Sequence, residues 1–152
     1  MTRKPKRVIP GCDVMETATE AISKAREARH HGDFAVARAH YAEAATIYRE
    51  QSDPLAYAHA IRHIADIYQQ ESNLVQAKPL YEECLELYRN NLSTRVLDLA
   101  NALRPYALLN EALGNPELAR KLWEEAGQLY NALRVEAGVL ECDAHIRKLQ
   151  QT

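Results

Sequence analysis

The chain is poor in the residues that mark several classes of protein. It has 152 residues but only five glycines and six prolines, too few for the many turns of a β-sandwich, and its net charge is only −2. Three cysteines without a CxxC pair argue against a disulfide framework and against a zinc knuckle. No apolar run reaches the roughly 18 residues that cross a bilayer. These deficits exclude extracellular disulfide scaffolds and membrane-spanning proteins, and we expect a cytoplasmic protein.

What the chain does contain favours helices. Hydrophobic residues make up 47% of it, enough for a core, and alanine and leucine dominate that set. Four basic residues crowd the first seven positions, and we expect residues 1–12 to form a flexible tail before a single domain at 13–150. A solvated tail without a role and a tail that contacts nucleic acid or a membrane surface are both open. The four basic residues are Arg3, Lys4, Lys6 and Arg7.

One pattern occurs three times, at offsets of 40 and 42 residues. It places a small residue, an aromatic residue four later, a small residue three beyond, and a tyrosine four beyond that. These steps follow one face of an α-helix. A small side chain lets two helix backbones approach, and the ring one turn away fills the groove between them. The four columns read Ala37, Tyr41, Ala44 and Tyr48, then Ala77, Tyr81, Cys84 and Tyr88, then Ala119, Trp123, Ala126 and Tyr130.

Capping residues predict where the helices begin. Asp53 and Asn115 each precede a proline, and Asn73 stands three residues before Gln76, as in a capping box. The prediction is three antiparallel helix pairs, in repeats at about 14–52, 53–92 and 93–134, followed by a capping helix. The predicted helices span about 14–31, 34–51, 54–71, 74–91, 94–113, 116–134 and 137–150.

These residues resemble the tetratricopeptide repeat family, in its longer form of about 42 residues per repeat. The second copy carries the resemblance best, in the run from Ala77 to Tyr88 and in the first helix before it, which contains Ile61, Ile64 and Tyr68. The resemblance implies an all-α solenoid, a right-handed superhelix of three helix pairs with a C-terminal capping helix. It also implies a scaffold or adaptor that binds proteins and is not an enzyme.

In this family the first helix of each pair lines a concave groove that holds a peptide or a partner helix. Transferred to this chain, the groove leans basic, and Arg26, Arg62 and Arg104 can hold carboxylates bidentately. We therefore predict an acidic or C-terminal-carboxylate peptide as the ligand. The predicted groove residues are Arg26, Arg29, His59, Arg62, His63, Asp66, Gln69, Asn101, Arg104 and Leu108.

The clamp with which chaperone-binding members of the family hold a terminal dicarboxylate is not reproduced. Its lysine and asparagine positions correspond here to Ile22, Arg26, His63, Asn101 and Pro105. The resemblance therefore does not extend to the binding of chaperone tails.

Other chemistries are less favoured by the residues. His59, His63 and Asp66 share one helical face, but without a fourth ligand we predict no metal and no cofactor. Cys84 occupies a small-residue column and is predicted to be a buried structural thiol. The chain has no phosphate loop and no nucleophile elbow. Self-association through an exposed repeat edge is an open alternative, whereas nucleic-acid binding is disfavoured because the groove offers no aromatic rings to stack on bases.

Overall fold

A computed structural model describes the backbone of residues 12–151 and the side chains of residues 17–151. Within that part, the chain forms seven α-helices and no strand. Each helix begins and ends within two residues of the predicted positions, so the predicted all-α fold is confirmed. The predicted basic tail and its four cationic residues lie outside the described side chains. The helices are α1 (Cys12–His30), α2 (Phe34–Glu50), α3 (Pro54–Gln70), α4 (Leu74–Arg89), α5 (Val96–Ala112), α6 (Pro116–Ala132) and α7 (Glu136–Gln150).

Five of the six connections between these helices are tight turns with the same backbone feature. In each turn one residue has a positive φ, between 55° and 81°. Glycine enters this left-handed region without a steric penalty, and it occupies two of the five turns. The sixth connection is the longer loop at 90–95 between α4 and α5. Because the chain reverses at each turn, successive helices run antiparallel. The five residues are Gly32, Ser52, Ser72, Gly114 and Arg134.

Two of the three predicted caps form and one does not. Asp53 accepts a hydrogen bond from the backbone N–H of Ala56 at 3.1 Å, and Asn73 accepts one from that of Gln76 at 3.4 Å. The prediction for Asn115 was wrong, since its side chain makes no cap hydrogen bond. It donates instead to the Oδ1 of Asn110 at 3.3 Å. Asn110 is fully buried, and its amide needs such a partner.

The small and aromatic columns form the core. All twelve positions except the half-buried Tyr48 are buried, and the rings of Tyr41, Tyr81 and Trp123 are at most 1% exposed. Burial of a large apolar side chain stabilises a fold by about 1.5–3 kcal/mol. Each helix packs mainly on the next one along the chain. The first helices of the pairs also form a common surface, because α3 contacts α5 and Arg29 of α1 donates a hydrogen bond to Gln70 of α3.

Candidate ligand-binding groove

The surface shared by α1, α3 and α5 contains an open cavity of about 380 Å³, here called the central cavity. Seven of the ten predicted groove residues line it, and they come from all three of these helices. Three further lining residues are Gln70, Tyr81 and Pro105. Tyr81 belongs to a core column, and no feature of the sequence indicated that its hydroxyl reaches the groove. The seven predicted residues are Arg29, Arg62, Asp66, Gln69, Asn101, Arg104 and Leu108.

The other three predicted residues lie in neighbouring cavities. Arg26 and His63 line a cavity of about 480 Å³ at the first repeat, here called the first-repeat cavity, which also includes Arg29 and Gln70 of the central cavity. His59 lines a different cavity of about 430 Å³ near the start of α5, although its ring contacts that of His63 at a centroid distance of 4.6 Å. The structure thus divides the predicted groove into a continuous pair of cavities and a separate one.

Arg62 and Asp66 form an internal ion pair in the central cavity. Nη1 of Arg62 lies 2.8 Å from Oδ2 of Asp66, and each side chain is only 14% exposed. The hydroxyl of Tyr81 donates to the other oxygen of Asp66 at 2.6 Å. Both carboxylate oxygens are therefore engaged, and Asp66 is not free to join His59 and His63 as a metal ligand. Among the described residues, no group of three histidine, cysteine or acidic side chains is arranged to hold a metal ion.

The guanidinium of Arg104 is also engaged within the chain. Its Nε and Nη2 each donate to an oxygen of Glu141 on α7 at 2.7 Å, in a bidentate pair. This pair ties the capping helix to the groove. Glu141 was not predicted as a groove residue, because it stands 37 positions from Arg104 on a helix whose alignment with the repeats is ambiguous.

The two arginines of α1 have no acidic partner among the residues whose side chains the structure describes. Arg29 donates from its Nε to the neutral amide oxygen of Gln70 at 3.3 Å. The exposed Arg26 makes no hydrogen bond or ion pair with any described residue. The positive charge at the first repeat is therefore available to a ligand, whereas that of Arg62 and Arg104 is balanced internally.

His63 is held neutral beside these arginines. Burial, with smaller contributions from the positive charges of Arg62, Arg29 and Arg26, lowers the pKa of His63 to about 2. Its ring stacks on Tyr41 at a centroid distance of 4.9 Å, and its Nδ1 is buried without a hydrogen-bond partner. A neutral histidine in this place adds no charge to the first-repeat cavity.

When His63 is replaced by phenylalanine, we expect the free energy of unfolding to fall less as the pH is lowered. The wild-type ring must take up a proton when the chain unfolds below pH 6.5, its ordinary pKa, so the free energy of unfolding falls as the pH falls. Between pH 6.5 and 4.5 this linkage removes about 2 kcal/mol. Phenylalanine keeps the stacking on Tyr41 and cannot titrate. Urea unfolding followed by circular dichroism at both pH values measures the difference, and equal pH dependence in the two proteins would contradict the assignment.

Comparison with known proteins agrees with the repeats. A family model described as a tetratricopeptide repeat matches residues 55–132, half of the chain. No curated protein matches the sequence significantly. None of the described helices combines the length and the apolar character needed to cross a membrane.

Solved structures share the fold at low sequence identity. The N-terminal domain of stress-induced protein-1 from C. elegans aligns with a TM-score of 0.71 and 16% identity, over 90% of this chain and 97% of that one. BtubC from P. vanneervenii aligns with a TM-score of 0.69 and 15% identity, over 94% of this chain and 66% of that one. Together with the three repeats and the match to the family model, this likeness of fold leads to one conclusion: the chain belongs to the tetratricopeptide repeat family.

Proposed function

We propose that the protein is an adaptor that binds an acidic peptide or partner helix in the groove along α1, α3 and α5. Tetratricopeptide repeat domains generally act as protein-interaction or scaffold modules. The observation that carries the proposal is the central cavity, where polar side chains from three successive repeats line one open surface. The module acts by binding and not by catalysis.

The chemistry of the groove supports a peptide as the ligand. Gln69, Gln70 and Asn101 bring side-chain amides to the cavity, and amides can bond the C=O and N–H groups of an extended peptide. The oxygen of Asn101 already accepts a hydrogen bond from the hydroxyl of Tyr130 at 2.8 Å, which leaves its NH₂ group to donate to a ligand. Leu108 adds apolar surface for a side chain.

The two described cysteines support action in the cytoplasm. Cys84 and Cys142 are buried, free thiols. Burial raises the pKa of Cys84 to about 12 and that of Cys142 to about 11, so both stay protonated at neutral pH. Such thiols serve packing and suit a reducing compartment.

Selection of peptides on the full chain tests the proposal. We expect a displayed library of random 12-residue peptides to yield binders enriched in aspartate and glutamate. Leu108→Glu, in the groove, should weaken the selected peptides about tenfold or more, because it places a negative charge beside them. The control Leu118→Glu changes an exposed leucine of α6 outside the cavity lining and should leave the affinity unchanged. Equal affinities in both variants would refute binding in the groove.

Self-association through α7 is the second candidate function. Leu140 on this last helix is 59% exposed, whereas Val139 and Ile146 pack against the core from the other side of the helix. An edge of this kind can pair with a second copy. Sedimentation that gives a concentration-dependent dimer, lost in Leu140→Lys, would favour this function over the first.

A further inference from the structure

The equivalent positions of the three repeats differ in charge along the groove. The repeat offsets of 40 and 42 residues make two groove positions comparable from one repeat to the next. At the first position the residue changes from basic to acidic to apolar, and at the second it changes from basic to neutral to acidic. The first row is Arg26, Asp66 and Leu108, and the second row is Arg29, Gln69 and Glu111.

The second and third repeats balance their own positive charge. In the second repeat, Arg62 is paired with Asp66 at 2.8 Å. Asp66 belongs to the first row, where the first repeat has an arginine. In the third repeat the first row holds Leu108, which carries no charge. Arg104 is paired instead with the carboxylate of Glu141 on α7. A ligand carboxylate would have to displace an existing partner to reach either guanidinium.

The first repeat has no such balance. The residues three and four positions from Arg26 on α1 are Ile22, Ser23, Arg29 and His30, none of them acidic. The described residues that line the first-repeat cavity likewise include no aspartate or glutamate. Two guanidinium groups one turn apart are therefore available to an anionic group.

The opposite end of the groove is apolar, with its acidic group already engaged. Pro105 and Leu108 line the central cavity there. Glu111 accepts hydrogen bonds from the indole of Trp123 and from His145, each at 2.8 Å. Nζ of Lys148 also lies 3.9 Å from Glu111, so the nearest described cation at this end already faces a carboxylate. This end offers contact area to an apolar side chain.

We propose that the groove binds its peptide in one orientation, with acidic residues on Arg26 and Arg29 and an apolar side chain on Pro105 and Leu108. This inference rests on the proposed function and specifies Arg26 and Arg29 as the anchor, the residues that hold the acidic end of the peptide. Carboxylates bind guanidinium groups through short, charge-assisted hydrogen bonds, which fix the position of the acidic end. An apolar residue of the peptide binds most favourably where contact with Leu108 removes it from water.

Binding of one designed peptide tests the orientation. The probe is a fluorescein-labelled peptide with three glutamates at one end and two leucines at the other, measured by anisotropy with the full chain. We expect Arg26→Gln combined with Arg29→Gln to weaken its binding at least tenfold. The control, Lys24→Gln with Lys121→Gln, removes two exposed charges outside the described cavity linings and should change the affinity less than twofold. Arg104→Gln with Glu141→Gln removes the internal pair and should change it less than threefold.

An analogue with glutamine in place of each glutamate separates the possible results. Weak binding of the analogue to the wild type, with no further loss in the Arg26 and Arg29 variant, supports the proposal. Equal binding of both peptides, unaffected by that variant, overturns the arginine anchor and the preference for acidic peptides, and leaves only peptide binding in the groove standing. Binding of neither peptide overturns both. Binding of single-stranded dT20 that competes with the peptide and falls steeply with salt would assign the same arginines to nucleic acid and also overturn the proposal.

Discussion

Trp123→Ala is expected to reduce the free energy of unfolding by about 3–5 kcal/mol, a large part of the roughly 5–15 kcal/mol that stabilises a folded domain. The indole is fully buried in the column that aligns the third repeat. It also stacks on His145 at a centroid distance of 4.2 Å and donates to Glu111 at 2.8 Å. Its loss leaves a cavity between the third pair and α7. Because Trp123 is the only tryptophan, urea unfolding has to be followed by circular dichroism.

Trp123→Tyr is the matched control, because tyrosine fills the same column in the other two repeats. In the second repeat the hydroxyl of Tyr81 lies 2.9 Å from Gln69, twelve residues earlier, and Trp123 has the same spacing to Glu111. We expect the tyrosine variant to lose less than about 2 kcal/mol. If alanine and tyrosine cost the same, the ring does not fill an equivalent site in each repeat.

Gly138→Ala is expected to destabilise the chain by about 1–3 kcal/mol through overpacking. An alanine Cβ at this position would lie 2.5 Å from Cγ of Tyr130, a buried ring carbon that cannot swing aside. Helix propensity alone predicts the opposite sign, since alanine is preferred over glycine inside a helix by roughly 0.5–1 kcal/mol. Thermal and urea unfolding of the variant therefore test how closely α6 and α7 approach.

Two companion variants isolate that contact. Ala144→Gly changes an exposed position of the same helix and so measures the effect of helix propensity alone. It should lower the free energy of unfolding by about 0.5–1 kcal/mol. Tyr130→Leu removes the ring that the alanine Cβ would meet. The double variant, Tyr130→Leu with Gly138→Ala, should therefore lose clearly less free energy of unfolding than the sum of the two single losses. A stabilising Gly138→Ala would show that α7 lies farther from Tyr130 than the structure places it.

The fold could be predicted from the sequence because its signals are local and repeated. The steps of four and three between Ala77, Tyr81 and Cys84 define one helix face, and Gly32 and Gly114 mark turns that glycine enters most easily. Three copies of this pattern restrict the chain to a stack of helix pairs. The side-chain cap of Asn115 was mispredicted because its side chain instead donates its NH₂ group to the buried Asn110, a contact that no local pattern predicts.

The groove was only partly predictable. The family resemblance located its positions, and seven of the ten come together around one cavity. The resemblance did not show which charged side chains of the groove are already paired within the chain. Arg62 and Asp66 have the i, i+4 spacing of a helical ion pair, but in the sequence Asp66 stood out only as a groove residue and for the face it shares with His59 and His63. The pair of Arg104 and Glu141 joins helices two elements apart, and no local pattern predicts it.

Paramagnetic relaxation in the labelled full chain tests the central claim most directly. The designed peptide would carry a nitroxide at its glutamate end in one sample and at its leucine end in another. We expect the first to broaden the backbone amide signals of Arg26 and Arg29, and the second to broaden those of Pro105's neighbours Arg104 and Leu108. Broadening confined to α2, α4 and α6, or the same pattern from both labels, would contradict an oriented ligand in the groove.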